Sequence, residues 1–211
     1  MPITVRHPLF ARGYARMAKA WETKGAAEHR DELLAGGAGR GIEVGAGSGL
    51  NFGHYPPTVT DVLAVEPEPY LRAIAERVAK RAQVPVVVVD GTADALPAEA
   101  ESFDFGVVSL VLCSVPNPQR ALAELFRVIR PGGELRFYEH IRAPSTRFAR
   151  FQEMVDIGWP YVAGGCHTAR PSDLAIELAG FAVSQRRYFT WRPSVLALPV
   201  QYHVIGRATR P

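Results

Sequence analysis

The sequence predicts an α/β fold in which helices cover both faces of a doubly wound, mostly parallel sheet. Two observations lead to this fold class. Short apolar strands alternate with amphipathic helical segments, and turns rich in proline and glycine separate them. A chain of 211 residues can bury one core of this kind, and 47% hydrophobic with 21% charged residues is an ordinary balance for a globular domain. We therefore expect a single main domain.

The N-terminal segment, residues 1–36, is predicted to be helical. Its large apolar side chains recur at steps of three or four residues: Phe10, Tyr14, Met17 and Trp21. Basic side chains fill the positions between them, which makes the helix amphipathic. Such a stripe packs on the domain or closes over a ligand, and peripheral contact with an anionic membrane is the alternative. The glycine-rich "AGGAGR" of residues 35–40 ends this segment, and the main domain, residues 37–211, begins there.

Seven apolar segments predict the strands of the main domain. The first five are "GIEVG", "DVLAVE", "VPVVVVD", "FDFGVVSLVL" and "GELRFYEH", with helices predicted at "PEPYLRAIAERVAKRA" and "NPQRALAELFRVIR". Residues 144–180 form an insertion of two helices around an irregular stretch. "FAVSQRRYF" and "QYHVIGRAT" then predict two late strands, and the short connection between them favours an antiparallel pair.

Composition excludes several classes of function. The 24 basic and 21 acidic residues are spread along the chain, so no nucleic-acid surface is indicated. Cys113 and Cys166 make no disulfide framework, which favours a reducing cytoplasm. No apolar run reaches the ~18 residues of a membrane span, and the first residues lack the apolar core of a signal peptide. The six histidines lack the close paired spacing of metal sites, so no metal is expected.

Residues 42–51, "IEVGAGSGLN", place glycines at every second position after an apolar strand: Gly45, Gly47 and Gly49. Such glycines let a ligand approach the backbone closely. The third glycine comes one residue earlier than in the dinucleotide pattern G-x-G-x-x-G. Glu43, inside the strand, needs a partner, and its carboxylate favours a ligand with an ammonium or sulfonium over a pyrophosphate. Together these features favour S-adenosylmethionine over NAD as the cofactor.

Two further stretches at predicted strand ends suit an adenosine. Glu66 lies 17 residues after Gly49, near the position where an acidic side chain accepts hydrogen bonds from ribose hydroxyls, although a solvated carboxylate or a helix cap is the alternative. In "DGTADALP", the side chain of Asp90 or Thr92 and the N–H of Ala93 are candidates to bind adenine, and a plain turn is the alternative. These positions meet at the edge where open α/β sheets bind their ligands.

These residues resemble a known superfamily. "EVGAGSG", "VEPEP" and "FDFGVVSLVLCSVPNPQRALAELFRVIRPGGELRFYEH" are similar to class I S-adenosylmethionine-dependent methyltransferases. "GSGLNFGHYPP", "LVLCSV" and "GGCHTAR" extend the likeness to the methyltransferase-like thiol S-methyltransferases. The resemblance implies a Rossmann-like sheet of seven strands in the order 3-2-1-4-5-7-6 with the last strand antiparallel. It also implies cofactor contacts at Glu43, Gly45, Gly47, Gly49, Glu66, Pro67, Gly91, Thr92, Ala93, Ser109 and Leu110. The membrane-anchoring segment of the animal relatives is not expected here.

The acceptor side is harder to assign from sequence. His140 follows Glu139 at the end of the fifth strand and is the candidate base, with a structural histidine as the alternative. In the superfamily, the insertion after this strand commonly forms the acceptor pocket. The candidate acceptor residues are Tyr14, Glu139, Asp156, Trp159, Cys166 and His167. A nucleophilic role for Cys166 is not expected, because methyl transfer needs no covalent step. His203 faces either the pocket or the core.

The leading hypothesis is therefore a cytoplasmic methyltransferase that uses S-adenosylmethionine to methylate a small molecule. The favoured acceptor is a thiol, whose own ionisation supplies the nucleophile near neutral pH. The alternative is carbon or oxygen methylation of a quinone, phenol or polyketide-like acceptor. A non-catalytic S-adenosylmethionine-binding module and an NAD-linked oxidoreductase are the remaining hypotheses. The sequence leaves the oligomeric state open.

Overall fold

A computed structural model describes residues 8–211, so residues 1–7 of the predicted N-terminal segment lie outside the described part. The core is one seven-stranded sheet in the order β3-β2-β1-β4-β5-β7-β6. Its strands are β1 Gly39–Val44, β2 Val59–Val65, β3 Val86–Val89, β4 Phe103–Ser109, β5 Ile129–His140, β6 Ala182–Thr190 and β7 Tyr202–Thr209. Strand β7 runs antiparallel to both β5 and β6, and the other pairs are parallel. The predicted fold class and strand order are confirmed.

Helices cover the two faces of this sheet. They are α1 Pro8–Trp21, α2 Ala27–Leu34, α3 Pro69–Ala79, α4 Pro118–Val128, α5 Thr146–Asp156, α6 Trp159–Val162 and α7 Ser172–Leu178, and a 3₁₀ turn spans Val195–Val200. Helices α3 and α4 begin where the sequence predicts, each with proline in the first turn. The side chains of Glu68 and Asn117 cap them by accepting hydrogen bonds from backbone N–H groups.

Alternation along the strands divides the core into two layers. Val108 and Phe137 face one side, where they pack with Leu125 of α4. Val107 and Tyr138, one residue away along the same strands, face the opposite layer with residues of α2. Because both faces are covered, the central strands β2 and β4 are largely apolar, and the edge at which the parallel strands end is where open α/β sheets bind their ligands.

The N-terminal helix is interrupted where the sequence pattern gave no signal. Gly25 adopts a φ of +101°, and the chain kinks between α1 and α2. The indole N–H of Trp191 donates to the carbonyl of Lys24 at 2.8 Å and fastens this kink to the connection between β6 and β7. As a result α1 lies across the carboxyl edge of the sheet.

None of the helices within residues 8–211 combines the length and the apolar character needed to cross a membrane.

Candidate active site

A cavity of about 560 Å³ lies at the carboxyl ends of β1, β2, β4 and β5. Pockets of about 300–1,000 Å³ are typical of small-molecule sites. The floor comes from the turns that follow these strands. Helix α1, the insertion around α6 and the β6–β7 connection form the walls. The predicted aromatic stripe of α1 faces this space, since Phe10, Tyr14, Met17 and Trp21 all line it.

The glycine loop adopts a backbone that only glycine accepts easily. Gly45, Gly47 and Gly49 have φ angles of +70°, +57° and +79°. A Cβ on Gly47 would lie 3.7 Å from Cε1 of Tyr14, so a longer side chain there would enter the cavity. A Cβ on Gly49 would instead lie 2.7 Å from the ring of Phe52. Gly49 therefore permits close packing behind the loop. It is not among the residues that line the cavity, although the sequence predicted a cofactor contact there.

Glu66 ties the glycine loop to the end of β2. Its Oε2 accepts a hydrogen bond from the N–H of Gly47 at 2.7 Å, and its Oε1 accepts from the N–H of Glu68 at 2.8 Å. The carboxylate is buried and lines the cavity, and burial raises its pKa. Each carboxylate oxygen has a second lone pair, so Glu66 can still accept a hydrogen bond from a ligand hydroxyl.

The turn after β3 forms the far end of the cavity floor. Gly91, Thr92 and Ala93, the residues predicted from sequence, line it. Asp94, which was not among the predicted residues, lines it as well. The carboxylate of Asp90 accepts a hydrogen bond from Arg72 at 2.8 Å and is not among the lining residues, which leaves Thr92 as the candidate side chain.

Charge in the cavity lining is one-sided. Its charged side chains are Glu66, Glu68 and Asp94, and no lysine or arginine within residues 8–211 lines it. A pyrophosphate would meet acidic groups without a cation to offset them, whereas an ammonium or sulfonium would be attracted. This lining opposes the NAD alternative.

The turn after β4 is held in an unusual conformation. Strand β4 ends at Ser109, earlier than predicted, and Leu110 adopts a φ of +59°, which costs a non-glycine residue about 1 kcal/mol or more. Glu139 compensates, because its Oε1 accepts from the N–H groups of Val111 and Leu112 at 2.9 and 3.0 Å. Burial raises the pKa of Glu139 to about 7. Ser109 and Leu110 line the cavity, whereas Glu139 lies behind the turn and is not among the lining residues; its contact with an acceptor stays a prediction.

Ser109 adds a polar atom to this turn. Its Oγ is buried and has no hydrogen-bond partner among the described residues. Buried hydroxyls without a partner are uncommon in proteins. Ser109 borders the cavity between the glycine loop and His140, and its hydroxyl oxygen is itself buried.

Glu43 takes part in an internal network. Its Oε1 accepts from the amide of Asn51 at 2.8 Å and its Oε2 from the hydroxyl of Tyr55 at 2.7 Å. Asn51 in turn accepts from Arg30 of α2 at 2.6 Å. The Glu43 side chain is not among the residues that line the cavity, and its direct contact with the cofactor stays a prediction. Its partners come from the segment after the glycine loop, and the network fixes that loop from behind.

This network predicts a pH dependence of stability. Burial raises the pKa of Glu43 to about 7 from 4.5. The folded state therefore holds this proton more tightly than the unfolded state, and the associated stability, present below pH 4.5, is lost as the pH rises through 7. We expect Glu43→Gln, which stays neutral, to gain stability relative to the wild type between pH 5 and 8, by up to about 3 kcal/mol. Urea unfolding at both pH values measures this difference. Glu76→Gln, at an exposed position, is the control. If Glu43→Gln differed from the wild type by the same free energy of unfolding at pH 5 and pH 8, the assignment would be contradicted.

The acceptor end of the cavity is built from the insertion after β5. Trp159 and Cys166 line the cavity as predicted. Asp156 and His167 do not, and their contact with an acceptor stays a prediction. The carboxylate of Asp156 pairs with Nδ1 of His167 at 2.8 Å and accepts from the N–H of Thr168 at 2.5 Å, so these residues shape the loop that carries Cys166.

Cys113, His140 and Cys166 come together beside this end of the cavity. Nε2 of His140 lies 3.1 Å from Sγ of Cys166, and the nitrogen and sulfur atoms of the three residues all lie within 4.8 Å of one another. The interaction between the two cysteine side chains raises the pKa of Cys113 and lowers that of Cys166. Sequence reasoning missed this cluster, because its members lie on three separate elements and share no local pattern.

Two more lining residues come from the β6–β7 connection and β7. The indole of Trp191 meets that of Trp21 edge-on, with ring centroids 5.8 Å apart, and closes the cavity beside α1. His203 faces the cavity, and burial lowers its pKa to about 3, so it is neutral at physiological pH. The sequence left the direction of His203 open and gave no signal for Trp191.

Comparison with known proteins identifies the kind of site. Residues 42–137 match a family described as a methyltransferase domain. Thiol S-methyltransferase TMT1B of Rattus norvegicus is 33% identical over 80% of this chain and 70% of its own length. Demethylmenaquinone methyltransferase of Renibacterium salmoninarum is 35% identical over 46% of this chain and 39% of its own length. A solved SAM-dependent methyltransferase from Thermotoga maritima is 26% identical, with a TM-score of 0.69 over 96% of this chain and 98% of its own.

The residues present fit S-adenosylmethionine. The lining holds acidic side chains and no lysine or arginine from the described residues, which suits a cationic ligand without phosphate, Gly47 leaves room beside the loop, and Glu66 borders the same space. S-adenosylmethionine is accordingly the cofactor, and the predicted enzyme class is confirmed. The chain belongs to the class I S-adenosylmethionine-dependent methyltransferases, as a relative of the thiol S-methyltransferases.

Proposed function

We propose that this protein methylates the sulfur of a small thiol. The observation that carries the proposal is the extent of the similarity to the thiol S-methyltransferase. The methyltransferase domain accounts for residues 42–137 only, whereas the match to that relative covers 80% of the chain. A match of that extent continues beyond residue 137 into the insertion, residues 144–180, and Trp159 and Cys166 of that insertion line the acceptor end.

We propose the following arrangement of the cofactor. The amino-acid end lies along Gly45 and Gly47, the ribose hydroxyls donate to Glu66, and the adenine lies between Thr92, Ala93 and Leu110. Pro67 and Gly91 contribute backbone to the same floor. With the ribose on Glu66 and the adenine beyond it, the methyl end points away from β3 and towards Cys113 and His140.

The chemistry of the acceptor end suits a thiol. When bound, the cofactor supplies a methyl group that is already activated on a sulfonium, so the protein has mainly to align and shield the reactants. Trp159, Trp191 and the α1 stripe provide apolar walls that exclude water. A thiol with a pKa near 8.5 is partly ionised at neutral pH and needs less help from a base than a phenol, whose pKa is about 10.

Carbon or oxygen methylation of a quinol or phenol is the second candidate. The similarity to demethylmenaquinone methyltransferase and the aromatic walls of the cavity support it. That similarity covers 46% of the chain, which is too little to include both the domain's floor and all of the acceptor walls. We therefore rank it below the thiol.

An acceptor panel tests the proposal. The purified protein is incubated with S-adenosylmethionine and a series of alkyl and aryl thiols, phenols and quinols of matched size, and methylated products are measured by mass spectrometry. We expect turnover with thiols and, for each aryl thiol, at least about 100-fold less with the phenol of the same ring, because at pH 7 the phenol has the smaller ionised fraction and oxygen is the poorer nucleophile. Methylation of a quinol or phenol without methylation of any thiol would contradict the proposal and favour the second candidate.

A further inference from the structure

We propose that Cys113, His140 and Cys166 bind a zinc ion whose fourth coordination position takes the sulfur of the acceptor thiol. The three side chains form the cluster described above, and all of them line the cavity. The role of the fourth position rests on the proposed thiol acceptor, whereas zinc binding by the three side chains does not.

The donor atoms match a tetrahedral zinc site in kind and in spacing. Zinc binds cysteine sulfur at about 2.3 Å and histidine nitrogen at about 2.0–2.1 Å, which separates neighbouring ligand atoms by roughly 3.5–3.8 Å. The three donors lie within 4.8 Å of one another, and Nε2 of His140 and Sγ of Cys166 are 3.1 Å apart. These separations are within about 1 Å of those in a tetrahedral zinc site.

The backbone holds the two cysteines together without the ion. The N–H of His167 donates to the carbonyl of Cys113 at 2.9 Å, which joins the two cysteine-bearing turns directly. The guanidinium of Arg170 donates to the carbonyls of Leu112 and Val115 at 2.9 and 2.6 Å. A Cβ on Gly165 would lie 3.1 Å from the carbonyl oxygen of Ser114, so the turns also pack closely. The ligand set is therefore largely preformed.

Charge balance favours a divalent ion at this place. Two thiolates, a neutral imidazole and Zn²⁺ have no net charge, so the loaded site can be buried without leaving an unpaired charge. Cys113 and His140 are both buried, at 2% and 4% exposure. Soft sulfur donors with one imidazole select zinc over magnesium, calcium or manganese.

Three protein ligands leave one position open. A Cys₂His set with water or substrate in the fourth position is a known form of catalytic zinc site. Because all three ligands border the cavity, the open position faces the space between the glycine loop and Trp159. His140 is then a metal ligand, which differs from the base predicted from sequence.

The chemical step balances with the cofactor and a thiol alone. The acceptor thiol displaces water from zinc and releases its proton to solvent, since a coordinated thiol is deprotonated. A lone pair of the resulting thiolate forms a bond to the methyl carbon. The carbon–sulfonium bond breaks, and its electron pair remains on the sulfur of S-adenosylhomocysteine. The products are a methyl thioether and S-adenosylhomocysteine, and the zinc charge does not change.

Metal titration tests the site directly. The reduced, chelator-treated protein is titrated with Zn²⁺ against a competing indicator and with Co²⁺ followed by its thiolate charge-transfer absorption. We expect one metal ion per chain, and affinity lower by ~100-fold or more in Cys166→Ser and in His140→Gln. His54→Asn, which removes a surface histidine paired with Asp31, is the matched control and should bind like the wild type. Circular dichroism and thermal unfolding verify that each variant is folded.

The outcomes separate the metal site from the thiol acceptor. Addition of an acceptor thiol should change the Co²⁺ absorption. Addition of Zn²⁺ to the metal-free protein should raise its rate of thiol methylation by at least about 10-fold. The proposal would be overturned if the reduced protein failed to bind one equivalent of metal. It would also be overturned if a Cys113–Cys166 disulfide accounted for the cluster and the reduced protein bound no metal. Full thiol turnover without metal would overturn it and leave the thiol acceptor standing. Metal binding in a protein that methylates no thiol would support the zinc ligands and overturn both the open position for a thiol and the proposed function.

Discussion

Gly47→Val is expected to abolish binding of S-adenosylhomocysteine while the domain remains folded. Two effects act together. Valine at a φ of +57° is strained, and its branched side chain would project into the cavity towards Tyr14. We expect affinity to fall by at least about 100-fold, or roughly 3 kcal/mol, in isothermal titration calorimetry.

A nearby glycine supplies the control for this substitution. Gly53 is exposed, its backbone does not have a positive φ, and a Cβ there would meet no heavy atom within 4 Å. Gly53→Val should therefore bind the ligand like the wild type. Near-normal affinity in a folded Gly47→Val protein would remove the glycine loop from the cofactor site.

Glu66→Ala has the second largest expected effect. The substitution removes the proposed acceptor for the ribose hydroxyls, and it also removes the acceptor that holds the N–H groups of Gly47 and Glu68. Hydrogen bonds to a charged group contribute about 1.5–3 kcal/mol, so we expect S-adenosylhomocysteine to bind about 10–150-fold more weakly. Glu76→Ala, on the exposed face of α3, is the matched acidic control and should leave affinity unchanged.

A deoxyribose analogue separates the ribose contact from the effect on the loop. The wild type should lose affinity for S-adenosylhomocysteine that lacks a ribose hydroxyl, whereas Glu66→Ala should bind the parent and the analogue equally. If the variant discriminated between them as strongly as the wild type, Glu66 would act only by positioning Gly47, and another residue would bind the ribose.

Much of the fold could be predicted from local patterns. Each strand prediction rested on a short apolar run, and the predictions of α3 and α4 rested on helical segments that follow prolines; the structure adds the capping side chains of Glu68 and Asn117. The kink at Gly25 could not be predicted in the same way, because an isolated glycine is tolerated in many helices. The early end of β4 was missed because the apolar run continues through Leu112, although the hydrogen bonds of Glu139 turn the chain at Leu110.

Local patterns placed some of the predicted site residues correctly at the cavity and failed to place others. The cofactor floor could be read from sequence because turns after parallel strands meet at one edge of the sheet, and Gly45, Gly47, Thr92 and Ser109 all line the cavity there. Polar residues near that edge were harder to place. Glu43 was predicted beside the cofactor, yet its carboxylate lies among Asn51 and Tyr55 behind the loop. Position in the chain gives the end of the strand, but not the side to which a buried carboxylate turns.

The sequence by itself determined three features. They are the mostly parallel sheet, the glycine loop with its acidic partner Glu66, and the preference for a cationic cofactor without phosphate. Only the tertiary structure decided which polar side chains face the cavity and which, like Glu139 and Asp156, support it from behind. It also brought together the cluster of Cys113, His140 and Cys166. The physical reason is range: strand periodicity and turn chemistry act over a few neighbouring residues, whereas this cluster depends on how the loop after α6 packs against the turn after β4.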